Sequence, residues 1–150
     1  MSGMKFRKIK ENKKQFLSLL LLADEQENMI DRYLEKGTMY VLDDNGVKAE
    51  CVVTDEGDGI LEIKNIATVP EYQGKGYAKA LIDFLVNEYA YKYSVLQVGT
   101  GDSPLTVPFY EKCGFVRSHI IPNFFTNNYD HPIFECGVKL TDMVIFQRNL

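Results

Sequence analysis

The chain has 150 residues, of which 45% are hydrophobic and 25% charged, and its formal net charge is −4. This length is typical of one domain with one core, so we expect a single domain over residues 1–150. The acidic balance argues against a nucleic-acid partner, and no segment approaches the ~18 apolar residues that a membrane span needs. The three cysteines are widely spaced, without histidines at zinc spacing, which predicts a reduced, cytoplasmic chain with no metal site.

Apolar residues recur with helical or strand spacing along most of the chain, and turn residues separate the segments. The patterns predict, in chain order, a strand at 4–9, helices at 12–22 and 26–36, strands at 38–42, 47–54 and 60–69, a helix at 74–91, a strand at 94–99, a helix at 107–112, and strands at 115–121 and 138–148. Asp24 is predicted to cap the second helix and Gly37 to end it. Asn45-Gly46 is predicted to form the turn of a β-hairpin. The basic residues between 5 and 14 are interpreted as a solvated face.

The order of these elements limits the fold. Three consecutive strands joined by turns between residues 38 and 69 indicate antiparallel pairing. The strand–helix–strand unit over residues 60–99 indicates one parallel, right-handed crossover. The sequence therefore predicts an α/β fold, with a mixed sheet that carries helices on its faces.

The segment YQGKGYAK, residues 72–79, lies where the strand at 60–69 passes into the next helix. A glycine turn that opens a helix leaves N–H groups unpaired at the positive end of the helix dipole, which suits a phosphate or pyrophosphate. The segment is not a P-loop, because no Ser or Thr follows Lys75, nor a dinucleotide fingerprint, because Lys79 occupies the third glycine position. Glycine content alone is equally compatible with an ordinary tight turn.

The segment around this glycine turn and a second segment further along the chain resemble motifs of a known family. Residues 69–85, VPEYQGKGYAKALIDFL, resemble motif A of the GNAT N-acetyltransferases, with Gln73-Gly74-Lys75-Gly76-Tyr77-Ala78 at the signature positions. One helix and one strand later, FYEKCGF at 109–115 resembles the motif B of that family. The tail at 121–144 resembles a small bacterial subgroup of mostly uncharacterised members, some labelled indole-acetic-acid acetyltransferases. The resemblance implies a mixed, mostly antiparallel twisted sheet of about six to seven strands with helices on both faces.

The resemblance also implies the acyl donor, acetyl-CoA. Backbone N–H groups of residues 74–78 would hold its pyrophosphate, and the preceding strand would pair with its pantetheine arm. The position at which many relatives carry an asparagine is a serine here. The implied cofactor-binding residues are Ile66, Ala67, Val69, Gln73, Gly74, Lys75, Gly76, Tyr77, Ala78 and Ser103.

Two side chains are implied as catalytic. Tyr110 occupies the motif B position whose tyrosine acts in relatives as general acid toward the CoA sulfur, and a phenol can donate to a developing thiolate. Glu62 lies where relatives that acetylate histones carry a glutamate base, with a solvent-facing strand carboxylate or a water chain as the alternatives. Glu50 is a weaker alternative base, and Asp102 could face the acceptor amine.

Other reactive side chains are not expected to act. Cys113 lies beside Tyr110, but no histidine is near in sequence to activate it, so we interpret it as a small buried residue. His119 and His131 have no neighbouring ligands, so no metal site is predicted.

The sequence does not identify the acceptor of the acetyl group. The resemblance implies direct attack, within a ternary complex, by a primary amine of a small molecule or of a protein. A catalytically idle CoA-binding module and a transferase of another acyl-CoA are the alternatives. The aromatic loop at 122–137, with Phe124, Phe125, Tyr129 and Phe134, is interpreted as a flap over the sheet end, or else as an acceptor-pocket wall or a homodimer contact.

Overall fold

The computed structural model describes residues 3–150. Its helices are α1 (Leu17–Ala23, preceded by a 3₁₀ turn at Lys13–Phe16), α2 (Glu27–Ile30), α3 (Tyr77–Tyr89), α4 (Val107–Lys112) and α5 (Phe124–Asn128). Its strands are β1 (Lys5–Ile9), β2 (Thr38–Asp43), β3 (Val47–Asp55), β4 (Ile60–Thr68), β5 (Val95–Gly101), β6 (Val116–Ile121), β7 (Phe134–Glu135), β8 (Val138–Lys139) and β9 (Met143–Asn149).

A seven-stranded sheet in the order β1-β2-β3-β4-β5-β9-β6 forms the centre of the fold. Its neighbours pair antiparallel except β4 and β5, which run parallel and are connected through α3. This confirms the predicted mixed, mostly antiparallel sheet. Strands β7 and β8 form a separate two-stranded hairpin.

Apolar clusters cover both faces of the sheet. On one face α3 buries Leu81, Ile82 and Leu85 completely against residues of the central strands. On the other face Leu20 of α1 and Ile30 of α2 are equally buried, in a separate cluster. Because each helix presents its apolar side to the sheet, the helices lie on both faces, as predicted.

The second predicted helix is shorter than expected. Only Glu27–Ile30 is α-helical, and residues 31–36 form turns up to Gly37. The buried ammonium group of Lys13 donates to the carbonyls of Leu34, Glu35 and Gly37 at 2.8, 3.2 and 2.7 Å, at the end of this segment. Lys13 is therefore not part of a solvated basic face, because its ammonium group pairs with backbone carbonyls at the end of the segment that follows α2.

The segment after β6 also differs from expectation. The predicted loop contains α5 and β7, and the predicted strand at 138–148 is divided into β8 and β9. Cys136 and Gly137 turn the hairpin with φ values of 50° and 76°. A cysteine in this left-handed region is uncommon, so the sequence carried no strong turn signal there.

The central sheet opens between β4 and β5. These strands pair only from Ile60–Val95 to Ile63–Val98, whereas β4 continues to Thr68 and β5 to Gly101. Lys64 is an extra residue in β4, because Val52 pairs with Asn65 and Val53 with Ile63. A bulge of this kind bends the strand locally, and the two strands diverge beyond it. Across residues 3–150 no helix has the length and apolar content to cross a membrane.

Candidate active site

The glycine-rich loop leads from β4 into the first turn of α3. Gly74 and Gly76 have φ values of 79° and 89°, which L side chains rarely adopt. A Cβ at either position would meet no atom within 4 Å, so the surface above the loop is open. Within residues 3–150 no side chain caps the α3 N-terminus at Gly76. The first N–H groups of α3 are thus available to an anion.

A cavity of about 350 Å³ lies against this loop and the open end of β4. Most of the residues implied for cofactor binding line it, together with the candidate acid on α4. Its predicted members are Ile66, Ala67, Gln73, Gly74, Gly76, Tyr77, Ala78 and Tyr110. We call this space the loop cavity.

The remaining three implied residues lie outside the lining. The N–H of Val69 bonds to the carbonyl of Lys48 across the sheet at 2.8 Å. The ammonium of Lys75 lies 5.4 Å from the centre of the Tyr72 ring, and that of Lys48 lies 4.4 Å from it, so both cations are near the loop. Ser103 is buried, and its hydroxyl accepts the N–H of Leu105 at 3.0 Å, which supports the turn before α4. Their roles in binding stay predictions.

A second space of about 770 Å³ lies on the other side of the diverging strands. We call it the acceptor cleft. Its walls are the α1–α2 connection, β4, β5, one face of β6 and the segment 121–145. The two spaces share the lining residues Leu22, Ile66, Leu105, Thr106 and Tyr110.

Tyr110 stands where the two spaces meet. It is 6% exposed, and its ring packs against Phe109, Phe115 and Phe146. Among residues 3–150 its hydroxyl has no hydrogen-bond partner, yet it is not sealed from the cavities. Burial, followed by the charges of Cys113 and Glu135, raises the pKa of Tyr110 above its ordinary value. Its hydroxyl therefore keeps its proton at neutral pH.

Glu62 lies on β4 in the wall of the acceptor cleft, with its side chain 12% exposed. Its Oε1 accepts a hydrogen bond from the Gln97 amide at 2.6 Å, and its Oε2 pairs with the Lys64 ammonium at 2.7 Å. The Gln97 oxygen in turn accepts from the Gln147 amide at 2.7 Å. The structure thus brings Glu62 to the same cleft as Tyr110, with both of its oxygens engaged.

The alternative carboxylates lie elsewhere. Glu50 is completely buried outside both spaces, and burial raises its pKa well above the ordinary value. Asp102 pairs with Arg117 at 3.2 Å on the surface and does not line the cleft. The thiol of Cys113 is buried outside both spaces, and burial raises its pKa, which disfavours the thiolate.

The aromatic segment forms a wall of the acceptor cleft. Phe124, Phe125, Tyr129 and Phe134 all line it. Of the three interpretations of this loop, the geometry favours the pocket wall.

Side chains of the α1–α2 connection hold this wall in place. Asp24 does not cap α2, as the sequence suggested, but accepts the hydroxyls of Tyr33 and Tyr129 at 3.0 and 2.6 Å. Burial raises the pKa of Asp24 above its ordinary value. Arg32 donates to Asn128 at 2.9 Å. Sequence reasoning missed this network because its contacts to the aromatic segment join residues 96 and 105 positions apart in the chain.

At the surface, His131 joins the aromatic segment to the α1–α2 connection through Glu25. Its ring nitrogens lie 2.6 Å from Asp130 and 3.0 Å from Glu25. These carboxylates raise the pKa of His131 above 6.5. His119 lines the cleft and bonds to Ser118 at 2.9 Å. In the part of the chain that the structure describes, no three His, Cys, Asp or Glu side chains are grouped so that they could hold a metal.

The raised pKa of His131 predicts a pH-dependent contact. Because its folded pKa lies above the unfolded value, the contact contributes stability below about pH 6.5 and loses it as pH rises through the folded pKa. The Tm difference between the wild type and His131→Asn should therefore be larger at pH 5.5 than at pH 8.5. Thermal unfolding at the two pH values measures it, and an equal difference at both would contradict the contact.

Comparisons with known proteins agree with this geometry. The family model "Acetyltransferase (GNAT) domain" matches residues 35–117. The chain is 34% identical over 137 residues to the uncharacterized N-acetyltransferase YvbK of Bacillus subtilis, covering 89% of this chain and 88% of that protein.

Solved structures agree as well. A GNAT family acetyltransferase from Elizabethkingia anophelis with acetyl-CoA bound is 31% identical, with a TM-score of 0.93 and 100% of both chains covered. An IAA acetyltransferase from Bacillus cereus is 35% identical, with a TM-score of 0.90 over 99% of this chain and 100% of that one. The motifs, the opened sheet and these matches lead to one conclusion: the chain belongs to the GNAT family of acetyltransferases.

Proposed function

We propose that the protein transfers the acetyl group of acetyl-CoA to a primary amine, by direct attack within a ternary complex. The observation that carries the proposal is the meeting of the loop cavity and the acceptor cleft at Ile66 and Tyr110. A thioester reaching the end of the loop cavity would be exposed to a nucleophile from the cleft. No covalent enzyme intermediate is required, since the acceptor can reach the thioester directly.

The donor side of the proposal rests on the glycine loop. The open surface above Gly74 and Gly76 and the N–H groups at the start of α3 suit a pyrophosphate. Beyond Ile63, β4 stays paired with β3 but has no partner on its β5 side, where its backbone groups can pair with the pantetheine arm. The Elizabethkingia protein, which shares the fold over its whole length, has acetyl-CoA bound.

The chemistry needs a neutral amine, stabilisation of the tetrahedral intermediate, and a proton for the leaving thiolate. Tyr110 is protonated and stands between the two spaces, so it serves as the acid toward sulfur. Glu62 lines the cleft and serves as a base, directly or through water. The acceptor is a small-molecule or protein amine, and the acidic side chains of the cleft favour a cationic one.

A binding test separates acetyl-CoA from other nucleotides. Acetyl-CoA at about 100 times its Kd should stabilise the fold by about 2.7 kcal/mol, while NAD and ATP at the same concentration should not. Thermal-shift measurements check this. Stabilisation by NAD or ATP alone would exclude the proposed donor.

Glycine variants test where the donor binds. Gly76→Val should abolish the acetyl-CoA shift, because a β-branched residue is strained at φ 89° and covers the loop surface. Gly57→Val is a matched control, since Gly57 also has a left-handed φ of 84° with no atom within 4 Å of a Cβ, but lies outside both spaces. Both variants lose stability through strain, and only Gly76→Val should lose the shift. An equal loss in both would remove the loop from binding.

The acceptor test is release of CoA thiol in the presence of a panel of primary amines. Turnover with at least one amine is expected. Acetyl-CoA binding without turnover for any amine would favour the catalytically idle CoA-binding module. Turnover only with another acyl-CoA would favour a transferase of that acyl-CoA.

A further inference from the structure

The β7–β8 hairpin holds one acidic side chain over the acceptor cleft. Glu135 ends β7 and pairs with Val138, across the two-residue turn formed by Cys136 and Gly137. Both turn residues have positive φ, the conformation that matches the twist of a tight hairpin. The register of the hairpin therefore fixes the direction of the Glu135 side chain, which lines the cleft.

The carboxylate of Glu135 has no partner among residues 3–150. Its Oε2 is buried and makes no hydrogen bond. Tyr110 lines the same cleft, and the charge of Glu135 contributes to the raised pKa of Tyr110. A buried carboxylate oxygen without a hydrogen-bond partner destabilises the fold, and a ligand that donates a hydrogen bond to it would remove this cost.

The other carboxylates of the cleft are all engaged. Glu62 is held by Gln97 and Lys64, and Asp24 accepts two tyrosine hydroxyls. Glu25 pairs with His131, and Glu56 accepts the hydroxyl of Thr54. Within the part of the chain that the structure describes, Glu135 is the carboxylate of this lining that has a buried oxygen without a hydrogen-bond partner.

We propose that Glu135 binds the ammonium group of the acceptor amine and takes its first proton, beside Tyr110 and in the cleft walled by the aromatic segment. This inference rests on the proposed acetyl transfer and names a further catalytic residue for it. The acceptor class is a primary amine that arrives as a cation, because an ammonium group supplies both the N–H donor and the positive charge that a carboxylate without a partner lacks.

The proton balance assigns one step to each group. An N–H bond of the ammonium breaks and an O–H bond forms on Glu135, and the neutral nitrogen then attacks the thioester carbon. The C–N bond forms and the C–S bond breaks, Glu62 takes the second nitrogen proton, and Tyr110 gives its hydroxyl proton to sulfur. Tyr110 is restored by the proton on Glu62, and Glu135 releases its proton to water. The net reaction converts an ammonium and acetyl-CoA into an amide, CoA thiol and one proton.

The kinetic test compares Glu135→Gln with Glu88→Gln, an exposed carboxylate variant on α3 outside both spaces. CoA release is measured with 2-phenylethylamine and with 1,4-diaminobutane as acceptors. Glu135→Gln should lower kcat/KM for the amine by about 100-fold or more, with the KM for acetyl-CoA unchanged. Glu88→Gln should match the wild type. A Glu135→Gln enzyme with wild-type kcat/KM for both amines overturns the proposal.

A second measurement does not depend on turnover. Glu135→Met removes the unpaired oxygen, so its Tm without ligand should equal or exceed that of the wild type. Either amine should raise the Tm of the wild-type protein saturated with CoA, but not that of CoA-saturated Glu135→Met. A lower Tm for Glu135→Met without ligand, or equal amine-dependent shifts in both proteins, would show that the carboxylate has another role. If the wild type turns over neither amine, the transfer reaction with these acceptors fails, and the Tm comparison still decides the role of Glu135.

Discussion

Replacing Tyr110 by phenylalanine should lower kcat by about 10²-fold or more, the usual contribution of a positioned general acid. The substitution removes only the hydroxyl, which has no hydrogen-bond partner within residues 3–150, so the ring keeps its contacts with Phe115 and Phe146. The Kd for acetyl-CoA should therefore change little. Steady-state kinetics together with a binding measurement separate the two effects.

The matched control is Tyr91→Phe, because Tyr91 is fully exposed and lies outside both spaces. Its kcat should equal that of the wild type. An unchanged kcat in Tyr110→Phe would remove Tyr110 from the mechanism, and an equal loss of kcat and of CoA affinity would make it a binding residue instead.

The second large effect concerns stability. Replacing Lys13 by methionine should destabilise the fold by about 3 kcal/mol, because three carbonyl groups lose one charged donor. A loss of this size lowers the Tm by roughly 6–12 °C for a chain of this length. Denaturant or thermal unfolding measures it.

Lys14→Met is the control next in the chain. Lys14 has two partners, Glu27 and Asp31, both at 2.8 Å, but all three side chains are exposed. Surface ion pairs contribute little to stability, so this variant should lose much less than Lys13→Met. Equal losses would mean that the burial of the Lys13 ammonium is not what matters.

The cofactor side of the site could be predicted from the sequence because its signals are local. The spacing of apolar residues predicted α3, and Gln73 to Ala78 carried the motif within six residues. The hairpin at Asn45-Gly46 and helix α4 were predicted for the same reason. Each of these features depends on residues that are close together in the chain, so the local sequence pattern is enough to predict it.

The acceptor side depends on distant contacts and was predicted only in part. Glu62 was named from its place on the strand before the loop, where relatives that acetylate histones carry a glutamate base. Its partner Gln97 lies 35 residues further along the chain, and Gln147, which donates to Gln97, lies another 50 residues on. Glu135 gave no signal, since its placement depends on a turn with Cys136 in an unusual conformation. The burial of Lys13 also gave no local signal, since the carbonyls it binds are more than 20 residues away.

The hydrogen bonds between Gln147, Gln97 and Glu62 have a fixed direction. An ionised carboxylate can only accept, so Gln97 must present its NH₂ group to Glu62 and its oxygen to Gln147. Each amide thus has one permitted orientation, set by the charge at the end of the row. Gln147 lies outside the lining of both spaces, and its NH₂ group completes the row by donating to the oxygen that Gln97 turns away from Glu62. The charge on β4 thereby sets the orientation of an amide on β9, two strands away.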